Sequence, residues 1–176
     1  MRGAPILLLA ALLVSGCGFH PLYAVPGETH GEMRADLGAI YVEPLPDKLG
    51  YELRNRLIDV LDAKAEMAGA RYRLHVSMNE KNEAIGVQSQ QVGNISQTAI
   101  TRYNDTLTVQ YELVDLATGK AVTHGTESGL SAYNVLASPY ATLIAQQDAD
   151  KRAADDIAER IRLALAVYFA QGPKAP

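Results

Sequence analysis

The strongest constraint on the fold is a strict alternation of apolar and polar side chains in two separate stretches. Between residues 71 and 78 the apolar members are Tyr72, Leu74, Val76 and Met78, and the polar members are Arg71, Arg73, His75 and Ser77. In the second stretch Tyr103, Leu107, Val109, Tyr111 and Leu113 form the apolar set, which Asp105 interrupts. A period of two is typical of a β-strand with one buried face. The chain is therefore predicted to contain a sheet with one apolar and one polar face.

The segments around these two strands add two further strands and two helices. Residues 39–42 predict a short strand, and residues 120–131 predict another after a tight turn that places Gly119 at a positive φ. Residues 48–68 repeat apolar side chains at helical spacing, with Asp47 as a cap and Gly69 as a stop.

The last helix is predicted to start at Ser138-Pro139, a hydroxyl cap followed by proline in the first turn, and to run to about residue 170. Its length, roughly 48 Å at 1.5 Å per residue, predicts a bend or frayed part near residues 146–149. These elements predict an α+β fold, in which two helices pack on one face of a four-stranded, mostly antiparallel sheet, as a two-layer sandwich. Residues 36–170 would form this single domain.

Residues 79–101 separate the two alternating strands and are rich in Asn, Glu, Gln, Ser and Gly. Hairpin connections usually have 2–5 residues, so a loop of this length is predicted to be functional or mobile, unless the strands extend into it.

The N-terminus resembles the signal peptide of a bacterial lipoprotein. An apolar run too short to span a bilayer precedes Val14-Ser15-Gly16-Cys17, which is similar to the lipobox cut by the lipoprotein signal peptidase. Residues 1–16 would be removed after Gly16, and Cys17, the only cysteine, would carry the lipid. An ordinary signal peptide with a chance cysteine is the alternative. Residues 17–35 are then an extended leader, and residues 171–176 a tail.

Charge and motifs argue against nucleic-acid binding and give no sign of catalysis. Loss of Arg2 with the signal peptide leaves 15 basic against 20 acidic residues, a net charge of −5 that disfavours nucleic acid as a partner. None of the four histidines has a second ligand at a helical metal spacing, and no nucleophile or cofactor motif occurs. We therefore predict a protein without catalytic residues, metal ligands or cofactors.

The first mature residues, Cys17-Gly18-Phe19-His20-Pro21-Leu22-Tyr23, resemble the start of the LptE family of lipopolysaccharide-assembly lipoproteins. The resemblance implies a lipid-anchored protein of the outer membrane that plugs the lumen of the LptD β-barrel and helps deliver lipopolysaccharide to the outer leaflet. Gly18 after the cysteine agrees with outer-membrane sorting in enteric bacteria. The alternative is a freestanding periplasmic lipoprotein with a small binding domain or a cryptic hydrolase.

Two sets of basic residues are candidate contacts for these partners. Arg71, Arg73 and His75 lie on the predicted polar face of the sheet and are candidates for contact with a barrel. Lys81, Arg102 and Lys120 are candidates for contact with the phosphates of lipopolysaccharide, since Lys and Arg are the usual phosphate ligands. Lys81 and Arg102 would flank the long loop.

We predict that Cys17 is the acylated residue. Replacement Cys17→Ala should leave an uncleaved precursor that no longer incorporates labelled fatty acid, because no other thiol can form the thioether. Labelling that persists in Cys17→Ala would contradict the assignment of the anchor.

Overall fold

The computed structural model of the chain describes residues 28–92 and 95–171. The predicted signal peptide, its predicted cleavage site at Gly16 and Cys17, the predicted lipidation site, lie outside the described residues, as do residues 172–176. The elements follow in the order α1 (Glu28–Gly38), β1 (Ile40–Val42), α2 (Asp47–Leu61), β2 (Tyr72–Val92), β3 (Ile95–Asp115), β4 (Ala121–Asn134) and α3 (Pro139–Gln171). No helix in these ranges is long and apolar enough to cross a membrane.

The four strands form one open mixed sheet in the order β1-β2-β3-β4. β1 pairs parallel with β2, but only from Ile40 opposite Tyr72 to Val42 opposite Leu74. The β2–β3 and β3–β4 pairs are antiparallel. The helices pack on the apolar face, which confirms the predicted α+β sandwich.

Residues 79–92 and 95–101 are not a loop but belong to the far part of two long paired strands. The pairing continues from Lys81 opposite Thr106 to Val92 opposite Ile95, with irregularities on either side of Gly86. Described side chains between residues 79 and 104 are exposed or half-buried, none fully buried. Apolar alternation is a signal of burial, so it disappears from this part of the hairpin although the strands continue.

The predicted extended leader is wrong for residues 28–35, which belong to helix α1. The helix is held by its C-terminal part, where Leu37 is buried in the core and Met33 packs against it. Asp36 also pairs with Arg71, with 3.2 Å between Oδ1 and Nη1. The periodic apolar pattern that marks a surface helix is nearly absent here, so tertiary contacts rather than sequence periodicity define α1.

Helix α2 is shorter than the predicted 48–68: it ends at Leu61, with Asp62 as its C-cap, rather than at Gly69. Asp62 adopts the left-handed conformation (φ 56°, ψ 34°), and the N–H of Ala63 donates to the carbonyl of Ile58 at 2.9 Å. Asp tolerates this conformation better than most residues with a side chain, and it closes helices as glycine does. At the start, Pro46 rather than Asp47 occupies the N-cap position.

Helix α3 starts as predicted and continues without a break. The N–H of Ala141 donates to the Ser138 hydroxyl at 3.4 Å, and the helix begins at Pro139. It runs unbroken through residues 146–149 for 33 residues. A helix of about 50 Å fits this domain because β2–β4 are themselves longer than predicted.

The core lies between the apolar sheet face and one stripe of α3. The fully buried Ile157 and Ile161 of α3 face the sheet together with Leu165. The two layers approach closely at Gly129 of β4, where an added Cβ would lie 3.1 Å from Cδ1 of Ile157. Arg56 joins α2 to α3, with 3.3 Å to both Asp155 and Glu159.

The turn between β3 and β4 confirms its prediction. Gly119 has a φ of +67°, and its N–H donates to the Asp115 carbonyl at 2.8 Å. The Asp115 carboxylate accepts hydrogen bonds from the N–H groups of Ala117 and Thr118. Local chemistry therefore sets the register in which β4 returns along β3.

We expect Ile157→Ala to lower the free energy of unfolding by about 2–4 kcal/mol, because it removes a fully buried side chain and leaves a cavity. The matched control is Leu163→Ala on the same helix, where the side chain is 47% exposed. This control should change the free energy by about 0.5 kcal/mol or less. Urea denaturation followed by circular dichroism measures both, and equal effects would contradict the described packing.

Candidate interaction surface and acidic cluster

The sheet face opposite the helices, here called the outer face, is polar and open to solvent across three strands. It carries the alternate residues of β2, β3 and β4, whose side chains are exposed or half-buried: Ser77, Thr108, Gln110, Glu112, His124, Thr126 and Ser128. The described helices all pack on the opposite face. The outer face is thus available for contact with another molecule.

The three predicted barrel-contact residues lie on this face, and each has an acidic partner. Arg73 Nε lies 3.5 Å from Glu43 Oε1, and His75 Nδ1 lies 2.6 Å from Glu43 Oε2. Arg71 pairs with Asp36 at the end of α1. The basic cluster suggested by the sequence is therefore largely neutralised by acids from α1 and from the residue after β1. Exposed ion pairs of this kind add little stability, so their main effect is on surface charge.

The structure places Lys81 and Arg102 on the outer face but separates Lys120 from both. Lys81 is opposite Thr106, four residues from Arg102 along β3, which is about 13 Å. Its ammonium lies 2.6 Å from Glu83, whereas Arg102 makes no ion pair within residues 28–92 and 95–171. Lys120 follows the far end of β3, about 43 Å from Arg102. The three residues cannot form one phosphate site.

Exposed apolar side chains collect at the same end of the sheet as Arg102. Val87 and Ile100 are directly paired across the hairpin and are 60% and 41% exposed, with Ile85 nearby at 50%. The N–H of Val135 donates to the Thr101 carbonyl at 2.9 Å, which brings the segment before α3 to this end. More exposed apolar residues continue from there into α3: Leu136, Tyr140, Leu143 and Ile144. We call this end of the molecule, with Lys81 and Arg102, the distal end. Such concentrations of exposed apolar surface commonly mark interaction sites.

Three carboxylates meet on the core face of the sheet, where the helices give way to the distal end. Glu80, Asp105 and Asp150 each place an oxygen within 4.8 Å of the other two. Among the described residues this is the one group of His, Cys, Asp and Glu side chains close enough to hold a metal ion. Asp105 is only 1% exposed, Asp150 is half-buried and Glu80 is exposed.

The pKa of all three groups is raised, and burial is the main cause in each. Burial, followed by the neighbouring Asp150, raises the pKa of Asp105 from 3.8 to about 6. Burial is also the main cause of the raised pKa of Asp150; the neighbouring Asp105 and Lys48 lower this pKa, and Glu80 and Glu52 raise it. The pKa of Glu80 is raised by burial and by Asp105. At neutral pH the cluster therefore concentrates negative charge that the fold disfavours.

The alternation pattern of the sequence could have identified two of the three carboxylates, but not the third. Asp105 interrupts the apolar set of β3, and Glu80 continues the apolar set of β2 after Met78, so both belong to the buried face. Asp150 lies on the last helix, and only the packing of α3 on the sheet brings it to the other two.

We expect Asp105→Asn to stabilise the protein at pH 7 in a buffer with EDTA, by up to about 3 kcal/mol, the equivalent of moving the pKa from 3.8 to about 6. A raised folded-state pKa means that the wild type binds more protons folded than unfolded between these values. The free energy of unfolding of the wild type is therefore highest below about pH 4, and it falls as the pH rises through the folded-state pKa of about 6. Denaturant unfolding at pH 5 and pH 7 should show the advantage of Asp105→Asn shrinking at pH 5, and a pH-independent difference would contradict the described burial.

Comparison with known proteins gives a consistent result over most of the chain. The model of the family described as LptE, lipopolysaccharide-assembly, matches residues 37–165. An uncharacterised protein of Rickettsia prowazekii (strain Madrid E) is 28% identical over 163 residues, which are 93% of this chain and 95% of the relative.

Two solved structures share the fold. A Caulobacter crescentus CB15 chain designated a lipoprotein is 30% identical, with a TM-score of 0.67 over 81% of this chain and 98% of that one. A minor lipoprotein from Acinetobacter baumannii is 19% identical, with a TM-score of 0.55 over 78% of this chain and 95% of its own.

Proposed function

This chain belongs to the LptE family of lipopolysaccharide assembly, and from that premise we propose that it plugs an LptD-type β-barrel of the outer membrane and helps deliver lipopolysaccharide to the outer leaflet. Its action would be binding and assembly rather than turnover. In this proposal Cys17 carries the lipid that anchors the protein in the outer membrane, with the folded domain on the periplasmic side or inside the barrel.

The open outer face of the sheet is the observation that carries this proposal. Three long strands present a largely polar surface, with Leu130 as an exposed apolar side chain, and no described helix covers it. Its ion pairs leave little net charge near Arg71, Arg73 and His75. The interior of a large membrane β-barrel is polar and hydrated, in contrast to its lipid-facing exterior. A polar sheet face fits such a lumen without burying unpaired charges.

The proposed anchor limits how far the domain can lie from the membrane. Ten residues, 18–27, connect Cys17 to the start of α1. Ten residues span at most about 36 Å even when fully extended. The domain would therefore remain close to the membrane surface, where more than one acyl chain makes anchoring stable.

The distal end supports a contact with lipopolysaccharide. Arg102 has no acidic partner among the described residues and lies beside the exposed Val87 and Ile100. Lipid A combines phosphates with acyl chains, so a cation next to apolar side chains matches both parts of it. Lys81 adds a second cation on the same face, while Lys120 lies too far away to join this site.

Site-specific photo-crosslinking tests the barrel. Photoreactive residues at Ser77 and Gln110 on the outer face should capture a large outer-membrane β-barrel, because both side chains are exposed and next to the Arg71–His75 segment. Lys151 on α3, exposed on the helical side, is the matched control and should crosslink less. If Ser77 and Gln110 capture only small periplasmic proteins, the freestanding alternative is correct.

Charge reversal tests the lipopolysaccharide contact. The double variant Lys81→Glu/Arg102→Glu should weaken lipopolysaccharide binding by the purified protein at least tenfold, because it replaces two cations with anions near the phosphates. Circular dichroism should not change, since both side chains are exposed. Lys120→Glu reverses one charge at the other end and should leave binding nearly intact. Equal loss in Lys120→Glu would refute a distal site.

A further inference from the structure

The acidic cluster belongs to a polar row that crosses the core face of the sheet. Asn82 of β2 is directly opposite Asp105 of β3, and Asp105 is directly opposite Ser131 of β4. Side chains of directly opposed residues lie on the same face, with Cβ atoms about 5 Å apart. Glu80 lies two residues from Asn82 on that face, and Asp150 approaches it from α3.

Several oxygens in this row are buried without any partner. Asp105 is 1% and Ser131 8% exposed. Asp105 Oδ1, Asp150 Oδ1 and Ser131 Oγ make no hydrogen bond within the part of the chain that the structure describes. A buried polar group without a partner costs free energy, and native proteins almost always satisfy it. Ser131 is not one of the three acids, so its unpartnered hydroxyl in the same row is a separate observation that an oxygen ligand is missing a partner there.

None of the three carboxylates forms an ion pair with a Lys, Arg or His side chain among the described residues. Lys48 is the basic residue that acts on Asp150, but its ammonium lies 3.9 Å from Glu52. Arg152, two residues from Asp150, pairs with Asp148 instead. Lys81, next to Glu80 in sequence, points to the outer face and pairs with Glu83. The nearby basic side chains are thus engaged elsewhere, and the carboxylate oxygens are left open to a bound ion.

We propose that Glu80, Asp105 and Asp150 bind a Ca²⁺ ion, with the Ser131 hydroxyl and the Asn82 side-chain oxygen as neutral ligands. Ca²⁺ takes oxygen ligands at about 2.3–2.6 Å, so two ligands of one ion can be up to about 5 Å apart. The carboxylate oxygens lie within 4.8 Å of one another, close enough to share one ion. Three carboxylates suit Ca²⁺ better than Mg²⁺, which usually binds one or two carboxylates and keeps several waters.

The ion would join four elements at the base of the distal end. Its ligands come from β2, β3, β4 and α3, at the level where buried side chains end and the exposed hairpin begins. Binding would stabilise the folded state by mass action and fix the direction in which the hairpin extends. This site depends on the geometry of the core face and not on the proposed barrel or lipopolysaccharide contact.

The test uses the full chain in detergent, stripped with EDTA and dialysed. Ca²⁺ at 1 mM should raise the midpoint of thermal unfolding by several degrees, and Mg²⁺ should raise it less. Tb³⁺ provides a direct probe: the chain has nine tyrosines and no tryptophan, and the stacked Tyr103 and Tyr133 lie one row from Asp105. Tyrosine-sensitised Tb³⁺ emission should appear with one ion per chain and disappear when Ca²⁺ is added.

Variants separate this site from other acidic groups. Asp105→Asn and Glu80→Gln should each weaken Tb³⁺ and Ca²⁺ binding at least tenfold. The control Glu83→Gln, on the same strand but on the outer face, should bind normally. Glu80 is exposed, so Glu80→Gln tests the site without changing a buried side chain.

Three results would overturn the proposal. They are a wild type without a Ca²⁺-dependent shift, binding that survives in Glu80→Gln, and an equal loss of binding in Glu83→Gln. A shift with Mg²⁺ as large as with Ca²⁺ would overturn the assignment to calcium.

Discussion

The packing of α3 on the core face of the sheet is the contact on which the rest of the structure depends. It buries Ile157, Ile161 and Leu165 against the strands, and it is close because Gly129 leaves no side chain between the layers. The same packing carries Asp150 to the sheet beside Asp105. Where the helical cover ends, the strands continue alone, and this boundary separates a conventional core from the surface proposed to bind lipopolysaccharide.

The elements that could be predicted from the sequence are those determined by residues close to one another in the chain. Alternation of Tyr72, Leu74 and Val76 defines a strand wherever a helix covers one face, and the Ser138-Pro139 start and the Asp115–Lys120 turn are determined by residues in direct contact. These signals were enough for the two-layer architecture. They were also enough to place Arg71, Arg73 and His75 on the polar face. The acidic partners of these residues, Asp36 and Glu43, come from distant segments of the chain, and no local pattern predicts these ion pairs.

The features that could not be predicted depend on tertiary contacts or on the absence of burial. Helix α1 lacks a periodic apolar face and is held by Leu37 and Met33 against the core. The distal hairpin has no alternation because nothing covers it, so extended backbone resembled a loop. Helix α2 ends at Leu61 because the next residue, Asp62, takes a left-handed conformation more often adopted by glycine. Asp105 looked like an interruption of a strand, whereas it is the centre of a polar row completed by β4 and α3.

The short pairing of β1 leaves β2 with one bare side over most of its length. β1 covers only Tyr72 to Leu74, and the remaining backbone N–H and C=O groups on that side of β2 meet no other strand among the described residues. Such an edge can accept a strand from any chain that offers one, which makes it both a means of recognition and a route to aggregation. Where no other chain covers this edge, the tendency of the protein to self-associate should therefore rise with its concentration.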